Sequence, residues 1–247
     1  VRNFGLIGYP LGHSFSKKYF TEKFVREGIQ GCQFELYPIA RIQEFPQLFV
    51  RESSLEGLAV TIPYKEQVIP YLDGLDPACA QIGAVNCIRI RDGKKIGFNT
   101  DYLGFKQSLQ SWLGTETPNA LILGTGGASK AVQQALRDLG VSFRIVSRSQ
   151  SEGQLTYADL RDQPEWLASH PLIINTTPLG TYPQVEDLPN IPLEQLHAAH
   201  RVYDLVYNPS ITRLMQECIA RGGTAKNGKD MLELQAEAAW SIWNSPS

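Results

Sequence analysis

The chain has 247 residues, 43% of them hydrophobic and 19% charged, with 23 Lys and Arg set against 25 Asp and Glu for a net charge of −2. That composition supplies a core, argues against global disorder and leaves no electrostatic footprint for nucleic acid or an anionic membrane. Cys32, Cys79, Cys87 and Cys218 form no C-x-x-C pair, which argues against a disulfide scaffold or a close-ligand zinc site and fits buried thiols of a reducing cytoplasm.

Residues 1–8 read as a strand running into a glycine turn rather than as a signal peptide, and no stretch reaches the roughly 18–20 apolar residues of a membrane span. Residues 16–27 follow as a helix, with Ser16 as N-cap, Gly28 as stop, and Phe20 and Phe24 one turn apart. Residues 58–62 form a short apolar strand ending at Pro63. Residues 85–91 and 94–98 flank Asp92-Gly93 as a hairpin. Asn99-Thr100-Asp101 starts a helix with Phe105, Leu109, Trp112 and Leu113 on one side, and the polar residues 114–119 read as the join between two α/β units. Then come a strand at 120–125, a glycine turn, and a helix with the stripe Ala128, Ala131, Val132, Ala135, Leu136 and Leu139, stopped by Gly140. Strands at 143–147, 172–175 and 202–206, a proline-punctuated loop at 183–192, and helices near 212–221 and 230–243 complete the chain. The alternation predicts an α/β protein with largely parallel sheets.

Gly124-Thr125-Gly126-Gly127-Ala128-Ser129 sits between a predicted strand and a predicted helix. Missing side chains let a diphosphate approach the backbone, and the helix N-terminus offers free N–H groups. The strand–turn–helix–strand frame favours a dinucleotide over an empty tight turn. The next strand ends in Ser147-Arg148-Ser149. An acid near this place suits the ribose of NAD, whereas a basic residue suits the 2′-phosphate of NADP. Taken alone, Arg148 is an ordinary surface cation; behind the glycine turn it favours NADP.

Several short segments, in order and spacing, resemble those of the shikimate dehydrogenase family across nearly the whole chain. They are Gly12-His13-Ser14-Phe15-Ser16, Val60-Thr61-Ile62-Pro63-Tyr64-Lys65, Gly83-Ala84-Val85-Asn86 and Gly97-Phe98-Asn99-Thr100-Asp101. Asn175-Thr176-Thr177-Pro178-Leu179-Gly180, Tyr203-Asp204-Leu205-Val206-Tyr207, and Gly228 through Met231-Leu232 to Gln235 continue the series. The resemblance implies reversible NADPH-dependent reduction of 3-dehydroshikimate to shikimate in aromatic amino-acid biosynthesis. It implies an N-terminal α/β substrate-binding domain (residues 1–103 and 228–247) and a Rossmann-like doubly wound NADP-binding domain (104–227), the C-terminal helix packing back on the first. A cytoplasmic monomer or homodimer is expected, with no metal, nucleic acid or membrane partner.

Residue by residue, the resemblance implies that Ser14 and Ser16, helped by Tyr207, bind the substrate carboxylate. Thr61, Lys65, Asn86, Asp101 and Gln235 surround the ring hydroxyls and the reacting carbonyl, with Lys65 and Asp101 catalytic. The implied cofactor set is Gly124, Gly126, Gly127, Ala128, Ser147, Arg148, Ser149, Thr176, Leu205 and Gly228. The allotment suits the chemistry. A polyhydroxylated anion needs many partners because an unpaired buried polar group costs about 1–3 kcal/mol, and a Lys fixed by an Asp can polarise a ketone and deliver a proton. Alone, Lys65 would be a solvated lysine after a strand and Asp101 a first-turn acid on a helix dipole. Gln235 lies on the apolar side of its helix and needs a partner. His13, His170, His197 and His200 share no i, i+4 pairing and read as structural or surface groups.

Three departures stand out. Lys17, Lys18 and Tyr19 follow Ser16 where many family members have Pro and then a His-Asn pair; residues 150–154 carry Glu152 and no second basic residue; Lys229 stands where an apolar side chain is usual. The alternatives are a broader, often NAD-linked quinate/shikimate dehydrogenase, and a nucleotide-binding regulator without catalysis. Retention of both serines and the absence of an acid at 148 weigh against the first, and retention of Lys65 and Asp101 against the second.

Overall fold

The computed structural model describes residues 1–12 and 14–246; His13, and with it the reading given to it above, lies outside them. The chain divides into two compact units, one of Val1–Leu103 with Gln235–Ser247 and one of Gly104–Leu234.

Unit 1 contains β1 (Arg2–Gly8), α1 (Phe15–Arg26), β2 (Cys32–Pro38), α2 (Phe45–Arg51), β3 (Leu55–Val60), α3 (Tyr64–Gln67), β4 (Gly74–Leu75), α4 (Pro77–Ile82), β5 (Cys87–Arg91) and β6 (Lys94–Phe98). They build a six-stranded mixed sheet in the order β2-β1-β3-β5-β6-β4, in which β5 alone runs against the rest. The β5–β6 hairpin turns as the sequence predicts: Asp92 and Gly93 both adopt positive φ, 50° and 75°, the geometry of a two-residue turn matched to strand twist.

Helix α1 corrects one expectation. Its N-cap is Ser14, extended at φ −101° and ψ 121° with its hydroxyl oxygen accepting from Lys17 N at 3.3 Å, so Ser16 already lies inside the first turn. Phe15 buries part of its ring by starting the helix one residue before Ser16, and that packing moves the cap.

The division between units falls inside two helices, α5 (Thr100–Leu113) and, at the far end of the chain, a helix that spans Lys229–Asn244. Unit 2 continues from α5 through β7 (Ala120–Leu123), α6 (Gly127–Asp138), β8 (Phe143–Ser147), β9 (Leu155–Thr156), α7 (Tyr157–Asp162), α8 (Glu165–Ser169), β10 (Leu172–Asn175), β11 (Arg201–Asp204), α9 (Arg213–Ala220) and β12 (Thr224–Asn227). The Lys229–Asn244 helix is α10. Residues 114–119, expected to join two units, lie within unit 2 as a loop between α5 and β7, because Phe105 and Trp112 of α5 already pack edge-on against Tyr203 of that unit's sheet.

The sheet of unit 2 is all parallel, in the order β12-β11-β10-β7-β8-β9. Every residue of β7 and β10 is buried, as strands covered on both faces must be. The chain winds outward from β7 one way and from β10 the other, so their carboxyl ends border a crevice at the reversal of strand order. This is the Rossmann-like unit.

In unit 1 the C-terminal segment completes the core. Trp243 of α10 is 1% exposed, stacks on Phe4 at 5.1 Å and donates its indole N–H to Ile88 O at 3.1 Å. Gly57 makes room for it: a Cβ there would lie 2.4 Å from the indole. Lys23 is buried between Glu27 and Glu237, its Nζ 2.8 Å from the latter, which ties α1 to α10. No helix among the described residues is long and apolar enough to cross a membrane.

Candidate active site

Strand direction assembles the site of unit 1. β1, β3 and β6 run the same way with β5 opposed, so the residues after Gly8, after Val60 and after Phe98, together with Asn86 just before β5, all emerge at one edge. Backbone bonds stitch that edge: Thr61 N donates to Ile7 O (3.0 Å), Val60 N to Asn86 O (2.8 Å) and Asn86 N to Phe98 O (3.1 Å).

Lys65 lies on the short helix α3, fixed by a turn from Thr61 (Tyr64 N to Thr61 O, 3.0 Å), by the buried Tyr64 hydroxyl on Ile39 O (2.5 Å), and by Val85 N on its own carbonyl (2.7 Å). Asp101 lies in the first turn of α5. Asn99 starts that helix, accepting from Tyr102 N and donating to Ala84 O, both at 2.9 Å. The result is a Lys65 Nζ–Asp101 Oδ2 pair at 2.6 Å, with the side chains 26% and 17% exposed. A charged donor is thus held by one carboxylate while keeping access to a ligand.

Beside it, Asn86 Oδ1 accepts from Thr100 N (2.6 Å), Asn86 Nδ2 donates to Thr100 Oγ1 (3.0 Å), and the Thr100 hydroxyl reaches Gln235 Oε1 at 3.4 Å. Lys65, Asp101, Asn86 and Gln235 are therefore brought into one polar cluster, and Thr61 stands at the strand end that leads into it. Ser14 and Ser16 sit half-buried at the start of α1; among the described residues no hydrogen bond links them to Lys65 or Asp101. Because the Ser14 oxygen takes the Lys17 N–H, its own proton is left to donate. Tyr207 belongs to unit 2, follows β11 and is 43% exposed.

The crevice of unit 2 is a cavity of about 740 Å³ whose wall includes Gly124, Gly126, Ser147, Arg148, Tyr157 and Thr176. Gly124 has φ +109°, and a Cβ there would meet the Thr176 hydroxyl at 2.8 Å, so the first glycine is required by the turn itself. At Gly126 and Gly127 nothing lies within 4 Å of an added Cβ. The N-terminus of α6 has no side-chain cap and no acid in its first turn. Open space over uncapped N–H groups suits a diphosphate, so the residues present fit a dinucleotide. Ala128 lies in the same first turn.

The Ser147 hydroxyl closes a tight turn onto the Ser149 carbonyl and accepts from Ser149 N, leaving Arg148 exposed at its tip. No ion pair among the described residues involves Arg148. Leu205 and Gly228 meet at the ends of β11 and β12, where a Cβ on Gly228 would lie 2.1 Å from the Leu205 carbonyl oxygen. Behind them Asp204 is fully buried, accepting from Thr212 Oγ1 (2.6 Å), Asn175 Nδ2 (2.9 Å) and Val206 N (3.0 Å); burial pushes its carboxyl above the usual range.

Sequence reasoning missed Thr100 as the link between Asn86 and Gln235, Asn99 as the cap that sets Asp101, and Tyr157 in the cavity wall. The first two lay inside a quoted motif, and Asn before a helix is a capping signal. Tyr157 carries no such mark. No group of three or more His, Cys, Asp or Glu among the described residues is placed to hold a metal ion.

The chain is similar to known proteins. A family model described as the shikimate dehydrogenase substrate-binding domain matches residues 6–88. A shikimate dehydrogenase (NADP(+)) of Geobacillus kaustophilus is 35% identical, covering 97% of this chain and 91% of its own. One of Methanosphaera stadtmanae is 32% identical, covering 97% and 90%. The shikimate 5-dehydrogenase of Thermus thermophilus, solved with NADP(H) and shikimate, superposes with a TM-score of 0.85 at 27% identity over 99% of this chain and 94% of that one.

Proposed function

The chain belongs to the shikimate dehydrogenase family, and from that premise we propose that it interconverts 3-dehydroshikimate and shikimate with NADP(H). The Lys65–Asp101 pair, 2.6 Å apart at the carboxyl edge of unit 1, carries the proposal. When bound, NADPH supplies the hydride that the carbonyl carbon of 3-dehydroshikimate takes up. Lys65 Nζ hydrogen-bonds the carbonyl oxygen and gives it the proton that completes the alcohol; in reverse it receives the hydroxyl proton. Asp101 holds the ammonium in place. Thr61, Asn86 and Gln235 orient the ring hydroxyls, and Ser14 and Ser16 donate to the carboxylate. Gly124, Gly126, Gly127, Ala128 and Thr176 would hold the cofactor's diphosphate, Ser147, Arg148 and Ser149 would receive its 2′-phosphate, and Leu205 and Gly228 would border its nicotinamide.

The test is purified protein with shikimate and NADP⁺, followed by the absorbance of reduced nicotinamide, with quinate and NAD⁺ in parallel. Turnover with shikimate and NADP⁺ well above the other pairings is expected. Equal use of quinate, or no reduction of NADP⁺, would overturn the assignment.

A further inference from the structure

Strands β8 and β9 pair in parallel, Ser147 opposite Thr156. Only residues 148–154 connect them, fewer than the dozen or so that a parallel crossover ordinarily takes. The register has a direct consequence. Arg148 follows Ser147 and Tyr157 follows Thr156, so the two side chains leave neighbouring strands at the same edge, and both line the unit 2 cavity. A reciprocal capping box fixes the backbone beneath Tyr157: Thr156 N donates to Asp159 Oδ2 at 2.7 Å and Asp159 N to Thr156 Oγ1 at 3.2 Å. The Tyr157 hydroxyl makes no hydrogen bond to another described residue. Burial pushes its phenol up while the Arg148 charge partly offsets the rise, so the two groups sense each other.

The connection itself, Arg148-Ser149-Gln150-Ser151-Glu152-Gly153-Gln154, holds one cation and one carboxylate. A phosphate carrying about −1.5 to −2 charge has three acceptor oxygens, and the planar fork of one guanidinium pairs with two of them while supplying a single positive charge. We propose that Tyr157 is a specificity-determining residue of this chain, its hydroxyl donating to the 2′-phosphate of NADP alongside Arg148. The connection carries no second basic side chain, and the tyrosine at the next strand end supplies the further donor.

This inference rests on the NADP reading given above, and its test separates the two. Dissociation constants for NADP⁺ and NAD⁺, and for adenosine 2′,5′-bisphosphate and AMP, are measured by calorimetry without substrate, for wild type, Tyr157→Phe, Arg148→Ala and the double variant. Tyr157→Phe keeps the ring and should keep the melting temperature. It should weaken NADP⁺ and the bisphosphate roughly ten- to a hundredfold, the scale of one hydrogen bond to a charged group, and leave NAD⁺ and AMP within about twofold. In the double variant the loss should be smaller than the product of the two single losses. An unchanged NADP⁺ constant, or equal weakening of both cofactors, overturns the role of Tyr157. A wild type that binds NAD⁺ as tightly as NADP⁺ overturns the cofactor reading as well.

Discussion

The two carboxyl edges of this chain solve opposite problems. The edge of unit 1 is made of side chains that hold one another, Lys65 on Asp101 and Asn86 on Thr100 and Gln235. The edge of unit 2 is made of absences: glycines, uncapped N–H groups and open space, with Arg148 at one side. A small polyhydroxylated acid is told apart by donors and acceptors at fixed positions, whereas a diphosphate is held by backbone that any side chain would obstruct. Deletion should therefore harm the first edge and addition the second.

The largest effect is expected at Lys65. Lys65→Ala should fold with an unchanged melting temperature and lose roughly 10²–10⁴-fold in kcat, the usual worth of a positioned general acid, with a smaller rise in the KM for shikimate. Steady-state kinetics and a thermal melt decide it, and near wild-type turnover would remove Lys65 from the chemistry.

Adding atoms to the second edge comes next. Gly126 adopts φ −74° and ψ −175°, which any residue tolerates, at the N-cap of α6. Gly126→Ser should cap the helix and hold or slightly raise the melting temperature. The same hydroxymethyl would crowd the cofactor, and overpacking of about 1–3 kcal/mol converts to roughly five- to a hundredfold weaker NADP⁺ binding. Undiminished affinity would break the contrast between the edges.

Arg148→Ala removes the guanidinium proposed to pair with the 2′-phosphate. Loss of one charge-assisted contact, about 1.5–3 kcal/mol, is roughly ten- to a hundredfold in the NADP/NAD ratio of kcat/KM, with the lower half expected beside Glu152. NAD efficiency should stay put.

The smallest effect separates the units by acid. His170 and His200, both in unit 2, are buried and held by the Trp166 and Leu167 carbonyls, and burial lowers both pKa values below the ordinary 6.5. Stability from neutral imidazole is complete above the unfolded value of 6.5 and declines as pH falls below it toward the lowered folded values. Melting temperature should thus drop between about pH 7 and 5.5, with amide exchange rising first in unit 2. A flat profile would show these imidazoles to titrate as they do unfolded.

Much of the architecture was legible because its signals are local and periodic. The β7–α6–β8 frame, the Asp92-Gly93 hairpin and the glycine stops at 28 and 140 follow from short-range rules, and all are present. What was missed is largely short or tertiary, although the seven-residue strand β2 also went unread. Helix α4 has six residues, too few to show a period, although Asp76, Pro77 and Gly83 mark its ends. The cap on α1 moved because Phe15 packs. In the candidate site, Lys65 and Asp101 meet because β5 reverses, so that β6 ends at the same edge as β3 with β5 between them, a placement that spacing along the chain does not encode. Tyr157 was invisible for the same reason: its neighbour Arg148 is set by strand register.

The two units also differ in how they are written along the chain. Unit 2 is one uninterrupted run, residues 104–234, whereas unit 1 needs Gln235–Ser247 to finish its core. During synthesis, which proceeds from the N-terminus, all of unit 2 has emerged before Trp243 can cover Phe4 and Phe20. The apolar face of unit 1, made first, is sealed last, and for that interval it is exposed surface of the kind that aggregates.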